Sequence, residues 1–157
     1  MQADDPAVRD VLRRSMVARI ATLSRTGQPS VTPLYFVWLK GHVWLGTADW
    51  TLAARDAKAD PRVCVLLNVE ENPNDRRLLR IAGRAVVRTD AETQRAYVLR
   101  VAFKYSLRPS GIRNQLAHFG QFSLVKRYRA QSAVKGLACV IDVAPEQFEI
   151  LNDQLQD

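Results

Sequence analysis

Cysteine is scarce in this sequence. Cys64 and Cys139 each lie inside an apolar run, VCVLL and LACVI. Two such residues make neither a disulfide framework nor a CxxC metal set, and they read as buried free thiols. Histidine is equally scarce. His42 stands in a turn and His118 in an irregular stretch, and neither has a sequence companion that would complete a catalytic triad or a zinc set. No GxGxxG follows a strand and no Walker loop is present, which excludes a dinucleotide-binding Rossmann unit and a P-loop. A recognition helix, a GXXG loop and paired aromatic RNP motifs are also missing, so nucleic acid is a disfavoured partner. No apolar run approaches the roughly 20 residues of a membrane span. The opening MQADDPAVRD is acidic and polar, unlike a signal peptide, and a cytoplasmic protein without a membrane partner is expected. With no self-sufficient catalytic set, any enzymatic reaction here needs a bound cofactor.

What is present is a core and a charge imbalance. A chain of 157 residues, 47% of them hydrophobic, suffices for one domain, expected over 1–157. The formal charge is +7, yet residues 93–141 hold nine cations (Arg95, Arg100, Lys104, Arg108, Arg113, Lys126, Arg127, Arg129, Lys135) and no acid, leaving −2 for the rest. Such a segment is either a solvated basic face or the neighbour of an anion, such as a phosphate-bearing cofactor or substrate.

The order of elements is legible from pattern. Asp5-Pro6 predicts a helix start, with Val8, Val11, Leu12 and Met16 on one face. Residues 19–24, 30–39 and 42–47 read as strands joined by turns at Arg25-Thr26-Gly27-Gln28 and Lys40-Gly41, so the sheet is expected to be antiparallel. Asp49 or Thr51 caps a helix through Lys58, Asp60-Pro61 ends it, and 62–69 is the next strand of a meander with one helix inserted. Residues 78–88 are a strand with a bulge or close approach at Gly83. A helix over 91–103 follows, with Ala91, Val98 and Ala102 on one face. Residues 104–120 read as a loop and 122–128 as a strand. Residues 136–143 are a strand that Pro145 ends, and 148–151 add a short pairing.

The ordered set GQPSVTPLYFVW, VWLGT, a hydroxyl residue opening a short helix, DPRV, LRIAGRA and VIDVAP resembles the FMN-binding split barrels of the pyridoxamine 5'-phosphate oxidase-like superfamily. It is similar also to the deazaflavin (F420) oxidoreductases of that group. The resemblance covers residues 10–152. It implies a mainly β fold, an antiparallel six-stranded split β-barrel with flanking α-helices, assembled as a homodimer with the cofactor at the subunit interface.

By the same resemblance, the backbone of Pro33, Leu34, Tyr35 and Phe36 meets the isoalloxazine, and Thr47 and Ala48 lie along the ribityl chain. The helix starting near Thr51 offers N–H groups and a positive dipole end to a phosphate, with Thr51 and Arg55 adding direct bonds. The family pattern S-x-K-x-R-N-L has a lysine where this chain has Ala53, and Arg55, Lys58, Arg19 or a basic residue of a partner chain would have to compensate. The implied function is a flavin-type oxidoreductase, with FMN or F420, acting on a small organic substrate. The alternative is a non-catalytic binder of a cofactor, haem or another tetrapyrrole on the same fold.

Overall fold

Lys40 and Gly41 both take positive φ, 52° and 79°, the backbone that a tight two-residue hairpin requires. They join β2 (Pro29–Leu39) to β3 (His42–Ala48) in the computed structural model, which describes residues 1–106 and 138–152. The preceding hairpin, β1 (Val17–Leu23) to β2, turns at Gly27 (φ 78°). There the Ser24 hydroxyl accepts from the N–H groups of Thr26 and Gln28.

After β3 the meander stops. Helix α2 (Leu52–Ala59) carries the chain across the barrel, so that β4 (Arg62–Asn68) pairs with β1 and not with β3. The free edge of β3 is taken instead by β6 (Ala138–Leu151), which also pairs with β5 (Leu78–Arg88). The order β1-β2-β3-β6-β5-β4 closes on itself, every neighbouring pair antiparallel. Closure leaves the first part of β2, Pro29–Tyr35, paired on one side only among the described residues.

Pro145 does not end β6. The strand runs through it because Pro145 falls opposite Gly83, where the register shifts between Ala82 and Gly83. A Cβ on Gly83 would collide with the Ala144 carbonyl. The bulge thus gives a proline without an N–H a place in an internal strand.

Alternation along β1, β4 and β5 turns Ala18, Ile20, Val63, Val65, Leu67, Leu79 and Ile81 into the barrel, where they meet Phe36, Val43, Leu45, Ile141 and Val143. Helix α1 (Pro6–Arg14), capped by Asp5, whose carboxylate accepts from Ala7 N–H at 3.0 Å, adds Val8, Val11 and Leu12 to this core. It ends at Arg14, so Met16 lies beyond it and not on its apolar face. Asp10 and Asp75 hold Arg77 and Arg14, tying α1 to the β4–β5 connection.

Helix α3 (Ala91–Ser106) runs three residues further than its sequence pattern suggested and packs by a different face. Ala96, Tyr97 and Val101 cover Val37, Trp44 and Val140 on the outside of the sheet, whereas Ala91, Val98 and Ala102 face outward. Gly46 decides the matter, since the Tyr97 ring occupies the space its side chain would need. The expected strand over 122–128, most of the expected loop over 104–120, His118 and the basic residues from Arg108 to Lys135 lie outside the described residues.

Candidate functional site

The barrel is split along β2. Phe36–Leu39 pair with β3, but Pro29–Tyr35 pair only with β1, and no strand among the described residues covers their other edge. The Tyr35 carbonyl points to that open side and accepts from the Tyr97 hydroxyl at 3.1 Å. By the alternation of an antiparallel ladder, Pro33 presents its backbone to the same side and Leu34 presents its own to β1, opposite Ala18. A proline on an unpaired edge leaves no stray donor there.

Phe36 is differently placed. Its ring is fully buried in the core, and its N–H and carbonyl both meet the Tyr105 hydroxyl, at 3.3 and 3.0 Å. That hydroxyl also donates to the Met16 carbonyl at 2.6 Å, so it stands where the next β1–β2 pair would be. The Lys104 ammonium lies 3.4 Å from the Phe36 ring centroid, a cation–π contact, and Tyr35 meets Tyr105 edge to face at 5.1 Å. Burial pushes the Tyr97 hydroxyl up to about 12 and raises that of Tyr105 as well, so both are neutral donors near neutral pH. Of the four strand residues, Leu34 and Phe36 therefore have their backbone committed, and Pro33 and Tyr35 border the split.

Helix α2 forms the second part. Thr51 is its N-cap: Oγ1 donates to the Ala48 carbonyl at 2.8 Å, accepts from Ala54 N–H at 3.4 Å and lies 3.0 Å from Thr47 Oγ1. One hydrogen and two lone pairs are thereby engaged, so Thr51 positions the helix, and Thr47 keeps spare capacity. Leu52, Arg55 and Lys58 fall on the exposed side of α2. With Ala59, Ser24, Arg25, Thr26 and Asp56 they line a cleft of about 520 Å³.

The opposite side of α2 is buried. Asp56 accepts from Thr22 Oγ1 at 3.2 Å and from Ser30 Oγ at 3.1 Å, which docks the helix on both strands of the first hairpin. Ala53 is fully buried among core side chains, so the position that carries a lysine in the family pattern points into the barrel here. Arg19 is not a substitute, because it is absent from the cleft lining and donates to Asn68 Oδ1 at 2.6 Å. Arg25, Arg55 and Lys58 have no ion-pair or hydrogen-bond partner among the described residues. The structure thus unites Arg55 with Lys58 and Thr47 with Thr51, and it leaves Pro33 to Phe36 outside the cleft lining. Arg25 is an addition that its sequence context, a surface arginine in a glycine turn, did not single out.

His42 does have a companion. Its Nδ1 lies 2.6 Å from Asp142 Oδ1, and Arg88 Nε donates to Asp142 Oδ2 at 2.8 Å. Asp142 is buried and shared by His42 and Arg88, and no nucleophile is bonded to His42 among the described residues. The arrangement orients an imidazole without completing a triad. Cys64 and Cys139 are free thiols, and burial pushes Cys139 up to about 11. No group of three metal-ligating side chains occurs among the described residues, and no described helix is long and apolar enough to cross a membrane.

A closed antiparallel barrel, split along one strand and bearing a basic cleft beside a short capped helix, is the architecture of the FMN-binding split barrels. The family profile described as pyridoxamine 5'-phosphate oxidase matches residues 4–152, and the chain belongs to that family. Among solved structures, it is similar to an F420 reductase at 21% identity and TM-score 0.62, covering 90% of this chain and 94% of that one. It is similar to the conserved hypothetical protein Rv2991 of Mycobacterium tuberculosis at 17% identity and TM-score 0.69, with 96% and 86% covered. HutZ, the haem storage protein of Vibrio cholerae, aligns at 16% identity and TM-score 0.64 over 97% and 95%. At these identities the likeness is one of fold. No curated protein matches the chain.

Proposed function

We propose that the protein is an oxidoreductase that binds a flavin-type cofactor, FMN or F420, and acts on a small organic substrate. The observation that carries this reading is the cleft of about 520 Å³ lined by Arg55 and Lys58, neither of which has an ion-pair partner among the described residues. The lining fits the phosphate in kind through Arg55 and Lys58, while Thr47 and the backbone of Pro33 and Tyr35 lie outside it and would meet the chain and ring edge of a ligand that extends beyond the cleft. Bound there, the tricycle would supply hydride or electron transfer. Val31, Tyr35, Val86, Leu99 and Phe103 are left exposed by the described residues, and a homodimer is the reading that would cover such apolar surface.

A non-catalytic haem or tetrapyrrole binder is the second reading, favoured by the likeness to HutZ. The absorption spectrum of the purified protein separates flavin, deazaflavin and haem. Arg55→Ala tests the phosphate assignment: FMN binding should weaken by ~1.5–3 kcal/mol, while riboflavin, which has no phosphate, is unaffected. Equal losses for both would place the phosphate elsewhere.

A further inference from the structure

Three features of the cleft converge on a residue outside α2. Arg25 sits at the tip of the β1–β2 hairpin and lines the same cleft as Arg55 and Lys58. Its turn is held in shape, because the Ser24 hydroxyl accepts from Thr26 N–H at 3.3 Å and Gln28 N–H at 3.1 Å, and Gly27 N–H donates to the Ser24 carbonyl at 2.9 Å. The turn is also fixed relative to α2. Asp56 on the helix takes hydrogen bonds from Thr22, on the strand entering the turn, and from Ser30, on the strand leaving it. The two walls of the cleft are therefore braced by one buried carboxylate, and three cations without an ion-pair partner among the described residues line a shared space across that brace. Asp56 is the acid of the lining, and its Oδ2 is turned to the two hydroxyls.

We propose that Arg25 is an anion-binding residue of this cleft and supplies the positive charge that Ala53 does not. The ligand chemistry is a phosphate ester or diphosphate, held between a guanidinium on the hairpin turn and a guanidinium and ammonium on α2, with Leu52 against its apolar part. Arginine suits the task because its planar fork meets two phosphate oxygens at once. Like charges gathered without an anion repel one another, so an anion that enters also relieves strain in the free protein. This inference rests on the flavin reading only for the identity of the ligand.

The test is Arg25→Gln beside Arg9→Gln, an exposed cation on α1 away from the cleft, each titrated with FMN, riboflavin and inorganic pyrophosphate. Arg25→Gln should bind FMN roughly ten- to a hundredfold more weakly, with a shallower salt dependence and no change for riboflavin, and Arg9→Gln should match the parent. Arg25→Lys should recover part of the loss. Pyrophosphate should raise the melting temperature of the parent and raise that of Arg25→Gln much less. If the parent binds no flavin while pyrophosphate stabilisation still depends on Arg25, the flavin reading fails and the anion site stands. If FMN and pyrophosphate act on Arg25→Gln as on the parent, or if neither acts on the parent, the proposal is overturned.

Discussion

The hydroxyl of Tyr105 occupies the end of the β1–β2 ladder at Phe36, accepting its N–H and lying 3.0 Å from its carbonyl. A side chain from α3 does there what a main-chain partner does elsewhere in the barrel. Tyr105→Phe keeps the ring and its edge contact with Tyr35 but removes the acceptor of the Phe36 N–H and leaves the Phe36 carbonyl only the Lys104 ammonium at 3.4 Å, at a cost of about 1–3 kcal/mol. The urea midpoint should fall accordingly, and an unchanged midpoint would show that these groups find water or another partner.

Gly46 should tolerate no side chain. The Tyr97 ring and hydroxyl occupy the space of a Cβ, so Gly46→Ala must displace α3 from Trp44 and Val140 or strain the sheet. Overpacking of this kind costs about 1–3 kcal/mol. Combining it with Tyr97→Ala should restore part of the loss, and a double-mutant cycle in which the two effects simply add would refute the clash.

Ala53→Lys should destabilise the protein. Ala53 lies among core side chains, and burying an ammonium there costs several kcal/mol unless it neutralises. Thermal melting should show the loss at neutral pH and a smaller one at high pH, where the amine sheds its proton. If the variant melts with the parent and binds FMN more tightly, the side chain reaches the cleft after all.

Acid should loosen α1 from the β4–β5 connection. The Arg77 guanidinium holds the Asp75 carboxyl down at about 2, from an ordinary 3.8, and Asp10 is lowered by the same arginine. With the folded value below the unfolded one, the unfolded chain takes up protons first as pH falls. The contribution is complete above about pH 4 and is lost between there and pH 2. Asp75→Asn should flatten that part of the stability profile, and a profile of unchanged slope would sink the assignment.

Features written in a few neighbouring residues were legible in the sequence. The Lys40-Gly41 turn, the caps at Asp5 and Thr51 and the bulge at Gly83 each depend on local backbone chemistry, and each lies where its residues put it. Features that depend on which strands meet were not. The α3 pattern reads as a stripe of Ala91, Val98 and Ala102, whereas the face that packs carries Ala96, Tyr97 and Val101, with Tyr97 seated over a glycine on a strand 51 residues earlier. His42 and Asp142 are 100 positions apart and meet only because β6 inserts beside β3. Pro145 reads as a stop until the bulge opposite it is known. In the site, the helix and its arginine were visible, but nothing local showed that Ala53 faces inward or that Arg25 faces Arg55.

The placement of β6 between β3 and β5 also bears on how the chain is made. During synthesis β1 to β5 emerge before β6, and the two edges that β6 will join stay open, with their apolar inner faces unsealed, until β6 itself has been made. Barrel closure then depends on pairings distant in sequence, such as Val43 with Val143, which form slowly and leave the nascent sheet open to pairing with other chains in the meantime. The C-terminal strand is in this sense the clasp of the molecule, and shortening the chain by that strand alone should yield an aggregating product and not a smaller barrel.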